Sequence, residues 1–241
     1  SPRLNIISPR GSQRGTEAVM TFSGSQLGDG QQILFYSPGF EVVKVETIDA
    51  NQCKATVKIA PDCRLGEHVA AFEVALATRC ECRFAVSVNS GTDALELALR
   101  ACGIGSGDEV IVPALTFMST ALAVTAVGAT PIIVDIEEAS NGIDVEEASR
   151  RLTPRTKAVI PVHLHGQACD LDGLVRMARR HRLLVIEDCA QAIGATYHGR
   201  PVGSFGNAGC FSFYPTKNLG AAGDGGAVVT NDQGVAERLS L

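Results

Sequence analysis

Between residues 83 and 230 seven short apolar runs recur, with stretches of helical period between several of them. The runs fall at residues 83–88, 109–112, 131–134, 158–161, 183–187, 209–213 and 227–230. The helical stretches fall at 67–78, 93–102, 120–127, 145–152 and 171–181, and the second of these stops at Gly103. Strand-length apolar runs alternating with amphipathic helices predict an α/β fold: a mainly parallel sheet of about seven strands with helices on both faces. In such a sheet ligands gather beyond the carboxyl ends of the strands.

The chain changes character near residues 64–72. Before that point, runs at 18–22, 32–36, 41–45 and 54–59 alternate apolar with polar residues, and Gly, Pro, Ser, Asp and Asn punctuate them. This spacing predicts a small antiparallel β-sandwich over residues 1–66. Gly15-Thr-Glu-Ala-Val, Phe22-Ser-Gly-Ser and Ile59-Ala-Pro-Asp-Cys-Arg-Leu-Gly-Glu-His make it loosely similar to immunoglobulin-like modules of the IPT/TIG kind. A sandwich needs one more strand after Gly66, where the sequence turns helical, so the module reads as incomplete. The α/β part is expected over residues 67–241.

A net charge of −5 gives no electrostatic reason for nucleic acid or an anionic membrane as partner. No apolar run reaches the ~18–20 residues of a membrane span, and no leader-like run opens the chain. None of the eight cysteines forms a C-x-x-C pair, which argues against zinc. Six of them lie beyond residue 79, where reduced thiols in a cytoplasmic protein are expected.

The chemistry sits where strands end. Val185-Ile-Glu-Asp-Cys-Ala-Gln191 carries an apolar run straight into two carboxylates, and Phe211-Ser-Phe-Tyr-Pro-Thr-Lys-Asn-Leu-Gly220 presents a lysine among turn residues. A lysine amine can condense with the aldehyde of pyridoxal 5′-phosphate (PLP), while an aspartate keeps the pyridine nitrogen protonated. On this reading Lys217 and Asp188 are the catalytic pair and Glu187 is structural. Asn89-Ser-Gly-Thr-Asp93 joins a strand to a helix. Its small residues and the helix N-terminus suit a phosphate, with Ser90, Gly91 and Thr92 as contacts, although an ordinary helix cap would look the same. Phe117 can lie flat on a ring, Gln191, one helical turn beyond Asp188, can reach a ring oxygen, and Ser212 can add a hydroxyl at the phosphate. In Val162-His-Leu-His-Gly-Gln167, at least one of His163 and His165 is expected to face the cofactor or substrate pocket, with His163 preferred. A metal pair is possible there, but two histidines two apart with no third ligand in the same run are weak grounds for one.

Taken together, residues 67–241 resemble the DegT/StrS sugar aminotransferases, a branch of the fold type I PLP enzymes. The resemblance rests on Ser90-Gly-Thr-Asp-Ala-Leu95, Gly107-Asp-Glu-Val-Ile-Val-Pro113, Thr116-Phe117, Gly128-Ala-Thr-Pro131, Val162-His-Leu-His-Gly-Gln167, Glu187-Asp-Cys-Ala-Gln191 and Ser212-Phe-Tyr-Pro-Thr-Lys-Asn-Leu-Gly220. It implies Lys217 as the cofactor-linked lysine, Asp188 as the pyridinium partner and Phe117 as the stacking ring. It places Gln191 near the ring oxygen, and Gly91, Thr92 and Ser212 at the phosphate. Family members that dehydrate sugars carry histidine where Lys217 stands, so the resemblance implies amino transfer from glutamate to the keto group of a nucleotide-linked sugar. It also implies a homodimer and a small C-terminal domain beyond Leu241. The alternatives are a related PLP enzyme making an amino-cyclitol or aromatic amine, and a non-catalytic fusion that only binds or regulates.

Overall fold

A computed structural model describes residues 3–8, 17–25, 40–60, 67–221 and 223–240. It divides into two compact units, Ser1–Ala70 and Ala71–Leu241.

In the first unit, β1 (Arg3–Ser8), β2 (Glu17–Ser25), β3 (Phe40–Asp49) and β4 (Gln52–Ile59) form one antiparallel sheet in the order β1-β2-β4-β3. β4 shows why it holds together. Alternate residues Cys53, Ala55, Val57 and Ile59 are buried, while Lys54 and Lys58 face out. Asp49 accepts a hydrogen bond from the Asn51 N–H at 2.7 Å, closing the β3–β4 turn. β1 was not expected from the sequence, and the expected strand at 32–36 lies outside the described residues. Among the described residues of this unit there is this one sheet, and the second layer of the expected sandwich is not among them.

After α1 (Glu67–Arg79), the second unit alternates strand and helix. Its elements are β5 (Phe84–Val88), α2 (Gly91–Ala101), β6 (Glu109–Pro113), α3 (Ser119–Ala126), β7 (Thr130–Val134), α4 (Val145–Arg150) and β8 (Thr156–Val159). They continue with α5 (Leu171–His181), β9 (Leu184–Asp188), the short pair β10 (Thr196–Tyr197) and β11 (Arg200–Pro201), β12 (Ala208–Ser212), β13 (Gly226–Thr230) and α6 (Gln233–Leu239). The seven-stranded sheet runs β5-β13-β12-β9-β8-β6-β7, with β13 antiparallel to both its neighbours and the other pairs parallel. The predicted α/β sheet is therefore present, with one reversed strand that short apolar runs cannot reveal, because direction leaves no mark on a fully buried strand.

The strand period sorts the core into two layers. Val110 and Val112 of β6, Ile186 of β9 and Val228 of β13 pack with Leu95 and Leu99 of α2 and Val124 of α3. Ile111, Val185, Phe211 and Val229 pack on the other face with Leu171 and Leu174 of α5 and Leu76 of α1. Opposite faces at consecutive positions carry through to the end of β9. Glu187 follows the α1/α5 layer and Asp188 the α2/α3 layer.

Candidate active site

A cavity of about 350 Å³ opens at the carboxyl ends of β5, β6, β8, β9 and β12, on the α2/α3 side. Its volume lies within the range of small-molecule sites. All eight residues singled out for cofactor contact line it: Ser90, Gly91 and Thr92 at the start of α2, Phe117 before α3, Asp188 and Gln191 after β9, Ser212 at the end of β12, and Lys217.

The α2 end is built by close approach. A Cβ placed on Gly91 would stand 2.5 Å from Cβ of Ser212, so only glycine lets the helix N-terminus close on β12. Ser90 caps α2, its Oγ accepting from the Asp93 N–H at 3.1 Å. Ser90, Gly91 and Thr92 line the cavity at this helix end, where the first amides of a helix have no intrahelical acceptor. Thr92 Oγ1 donates to Ser119 Oγ at 2.9 Å across the helix pair.

Lys217 stands on a loop that folds back on itself. Phe213 N–H donates to the Gly225 carbonyl at 2.7 Å and its own carbonyl accepts from Ala221 N–H at 2.8 Å. At the tip, Lys217 N–H bonds the Tyr214 carbonyl at 2.8 Å in a turn with Pro215 at its second position. Phe117 is 70% exposed, a large aromatic face left open at the cavity mouth.

Asp188 is buried. Ala190 N–H donates to its Oδ1 at 3.1 Å and Thr120 Oγ1 to its Oδ2 at 2.8 Å. Burial raises its pKa above the ordinary carboxylate value; those two donors and the His163 and Lys217 charges pull the other way. Gln191 lies in a turn rather than one helical turn further along, and its Oε1 accepts the His165 N–H at 2.9 Å. With the oxygen spent, the amide NH₂ is the end left to donate.

The preference for His163 over its neighbour does not hold. His163 is fully buried and does not line the cavity; its Nε2 meets Glu187 Oε2 at 3.1 Å and its Nδ1 accepts the Cys169 N–H. His165, exposed and in the left-handed region at φ 54°, lines an adjoining recess of about 440 Å³ with Gln191, Thr216, Lys217 and Asn218. A non-glycine residue there is backbone strain beside a site. The spacing of two in the sequence puts the two rings in different surroundings, and only packing decides which is inside.

Glu187 is held by four donors: the N–H groups of Gly203, Phe205 and Gly206, and the His163 ring. Gly203 makes this possible, since its φ is +89° and a Cβ there would strike the Phe211 ring. Ligand atoms of His163, Glu187 and Cys189 lie within 4.8 Å of one another. The carboxylate accepts from protein N–H groups and the His163 ring, the imidazole is bonded at both nitrogens, and burial pushes the Cys189 thiol well above its ordinary pKa. The seven described cysteines are all free. Burial raises those of Cys80 and Cys169 to about 12.

Residues 46–241 match the DegT/DnrJ/EryC1/StrS aminotransferase family. The chain belongs to that family. Among its relatives, the UDP-N-acetyl-3-dehydro-α-D-glucosamine 3-aminotransferase of Acidithiobacillus ferrooxidans is 54% identical over 73% of this chain and 47% of its own length. The structure of DesV from S. venezuelae in complex with a ketimine intermediate superposes with a TM-score of 0.71 at 53% identity, covering 73% of this chain and 47% of DesV. The NtdA structure from Bacillus subtilis with bound cofactor PMP gives 0.69 at 38% identity, covering 73% of this chain and 39% of that one. The chain thus spans about half the length of the curated relatives it matches. Its α/β unit has the fold of these fold type I aminotransferases.

Several further residues of this cavity were not singled out from the sequence. Thr116, Tyr214, Thr216 and Asp224 line the cavity, and Thr120 bonds Asp188 from behind it. Thr116 and Tyr214 were visible as neighbours of Phe117 and Ser212. Nothing in the apolar run of α3 marks Thr120.

Proposed function

We propose that this chain is the PLP-binding part of a sugar aminotransferase that moves an amino group from glutamate to the keto group of a nucleotide-linked sugar. The observation that carries the reading is the convergence of an amine, a buried carboxylate, an open aromatic face and a helix N-terminus on one cavity. The donor set suits the cofactor. Gly91 leaves room for backbone to reach a phosphate, with Ser90, Thr92 and Ser212 supplying hydroxyls. PLP, when bound, supplies an aldehyde for amine exchange and a ring that takes up electron density from the substrate carbon.

In this reading Asp188 would keep the ring nitrogen protonated, Phe117 would offer its face to the ring, and the Gln191 NH₂ would be the donor for the ring oxygen. Lys217 would hold the cofactor through its Nζ, and that amine would take the proton from the donor's carbon and, in the second half of the exchange, deliver one to the sugar carbon. Residues 67–241 form the enzymatic part and residues 1–66 a separate module.

The working assembly is a homodimer in the cytoplasm. Supporting the dimer, Leu115, Met118, Leu122 and Ile133 expose apolar side chains on α3, the loop before it and the edge strand β7. Among the described residues no helix is long and apolar enough to cross a membrane.

The decisive experiment gives the full-length protein glutamate and a panel of keto-sugar nucleotides and measures 2-oxoglutarate. Product is expected with wild type and not with Lys217→Ala. Indistinguishable traces from the two would end the reading.

A further inference from the structure

We infer that Thr120, itself oriented by Thr116, is a positioning residue that aims the Asp188 carboxylate at the cofactor ring nitrogen and helps hold its charge; the inference rests on the cofactor reading above. Thr120 is fully buried in the first turn of α3, and its Oγ1 lies 2.8 Å from Asp188 Oδ2 and 2.7 Å from Thr116 Oγ1. A hydroxyl has one proton. Facing a carboxylate, Thr120 must spend that proton on Asp188, so Thr116 donates in the other contact. Thr116 lines the cavity, so two hydroxyls in series connect the cavity wall to the acid.

The arrangement is not the default for a helical threonine. Such a side chain usually returns its hydroxyl to a carbonyl one turn back, as Thr125 of the same helix does to Leu122 O at 2.8 Å. Thr120 instead reaches a residue 68 positions away, on the central strand of the sheet. With Ala190 N–H on Oδ1, each carboxylate oxygen has one protein donor, and the acid is fixed in orientation before any ligand arrives.

The pair also accommodates both protonation states. If Asp188 takes a proton, its O–H donates to Thr120 and Thr120 donates to Thr116. Two hydroxyls rotate, no heavy atom moves and the proton stays on the carboxyl. Burial favours that neutral form in the empty cavity; a protonated ring nitrogen requires the charged one. Serine can make the same contacts at position 120, and valine, of the same shape, cannot.

The test compares full-length wild type, Thr120→Val, Thr120→Ser and Thr116→Val for binding of PLP and of its 1-deaza analogue, which lacks the ring nitrogen. Affinity is read by absorbance titration, and thermal melting of the ligand-free proteins is recorded alongside. Loss of a hydrogen bond to a charged group predicts that Thr120→Val weakens PLP roughly tenfold to a hundredfold. Thr120→Ser should stay within about threefold and Thr116→Val should shift in the same direction by a smaller factor. With the deaza analogue all four proteins should agree within about twofold, since no ring nitrogen remains to be matched. Equal losses for both ligands would reduce Thr120 to a packing residue and overturn the inference, as would wild-type PLP affinity in both valine variants. Failure of wild type to bind PLP at all would reject the cofactor reading and this inference with it; only that outcome touches both.

Discussion

Glu187 and Asp188 are neighbours at the end of one strand, yet they stand in regions built for opposite ends. On the Glu187 side, three backbone N–H groups and a histidine converge until the carboxylate has nothing left to offer. On the Asp188 side two donors orient the acid, and the rest of its surroundings is a cavity shared with a lysine. The first arrangement joins β9 to the 203–206 loop and the 163–169 segment. The second leaves a buried acid underpaired, so that its charged form is disfavoured in the ligand-free protein and becomes useful when a cation docks beside it. A buried acid is therefore assigned to structure or to chemistry by how many of its acceptor sites the protein fills, not by its burial.

The sharpest way to break this contrast is on the cavity side. Lys217→Ala should lower amino transfer by at least about 10³-fold, since both covalent attachment and proton transfer are lost. Borohydride treatment with PLP should then leave no adduct on the corresponding peptide, while wild type is labelled.

Next in size is the filled acid. Glu187→Ala strands the buried Gly203 N–H, the half-buried N–H groups of Phe205 and Gly206, and a buried histidine, and should cost about 3–5 kcal/mol in urea unfolding. A loss below 1 kcal/mol would mean the nest is not holding the loop.

The opposite sign is expected one residue later. Asp188→Asn removes an acid whose charged form burial disfavours, so at pH values where that form is populated the ligand-free protein should melt about 2–4 °C higher, while amino transfer collapses. Because the folded pKa of Asp188 is raised, its stabilising contribution is complete below its unfolded value and fades as pH rises through the folded one. Urea midpoints for wild type should thus fall relative to Asp188→Asn on going from about pH 4 toward neutrality. Parallel curves would show that the acid is not destabilising when the cavity is empty.

The smallest effect belongs to the exposed ring. Phe117→Ala should weaken PLP binding about three- to tenfold by losing a stacking contact, with unchanged melting of the ligand-free protein. A large loss of stability would move Phe117 from the site to the core.

Much of this was legible in the residues. Strand and helix periods placed nearly every element of the α/β unit within a few positions, because burial on two faces imposes unbroken apolar runs and helices bury one stripe. β1, the β10–β11 pair and α6 were missed, being short or poorly periodic. The motifs also named eight residues that the fold brings to one cavity, because turns after successive parallel strands all emerge on the same edge of the sheet.

What the sequence determined by itself was an inventory: which side chains can bear a proton, an anion or a ring, and on which edge they gather. Tertiary structure decided their partners. It buried His163 against Glu187 and left His165 beside Lys217, turned β13 against its neighbours, and brought Thr120 to Asp188 across 68 residues. The reason is physical. Periodicity reports only whether a position faces core or solvent, whereas a hydrogen bond depends on distances of a few tenths of an ångström between segments far apart in the chain.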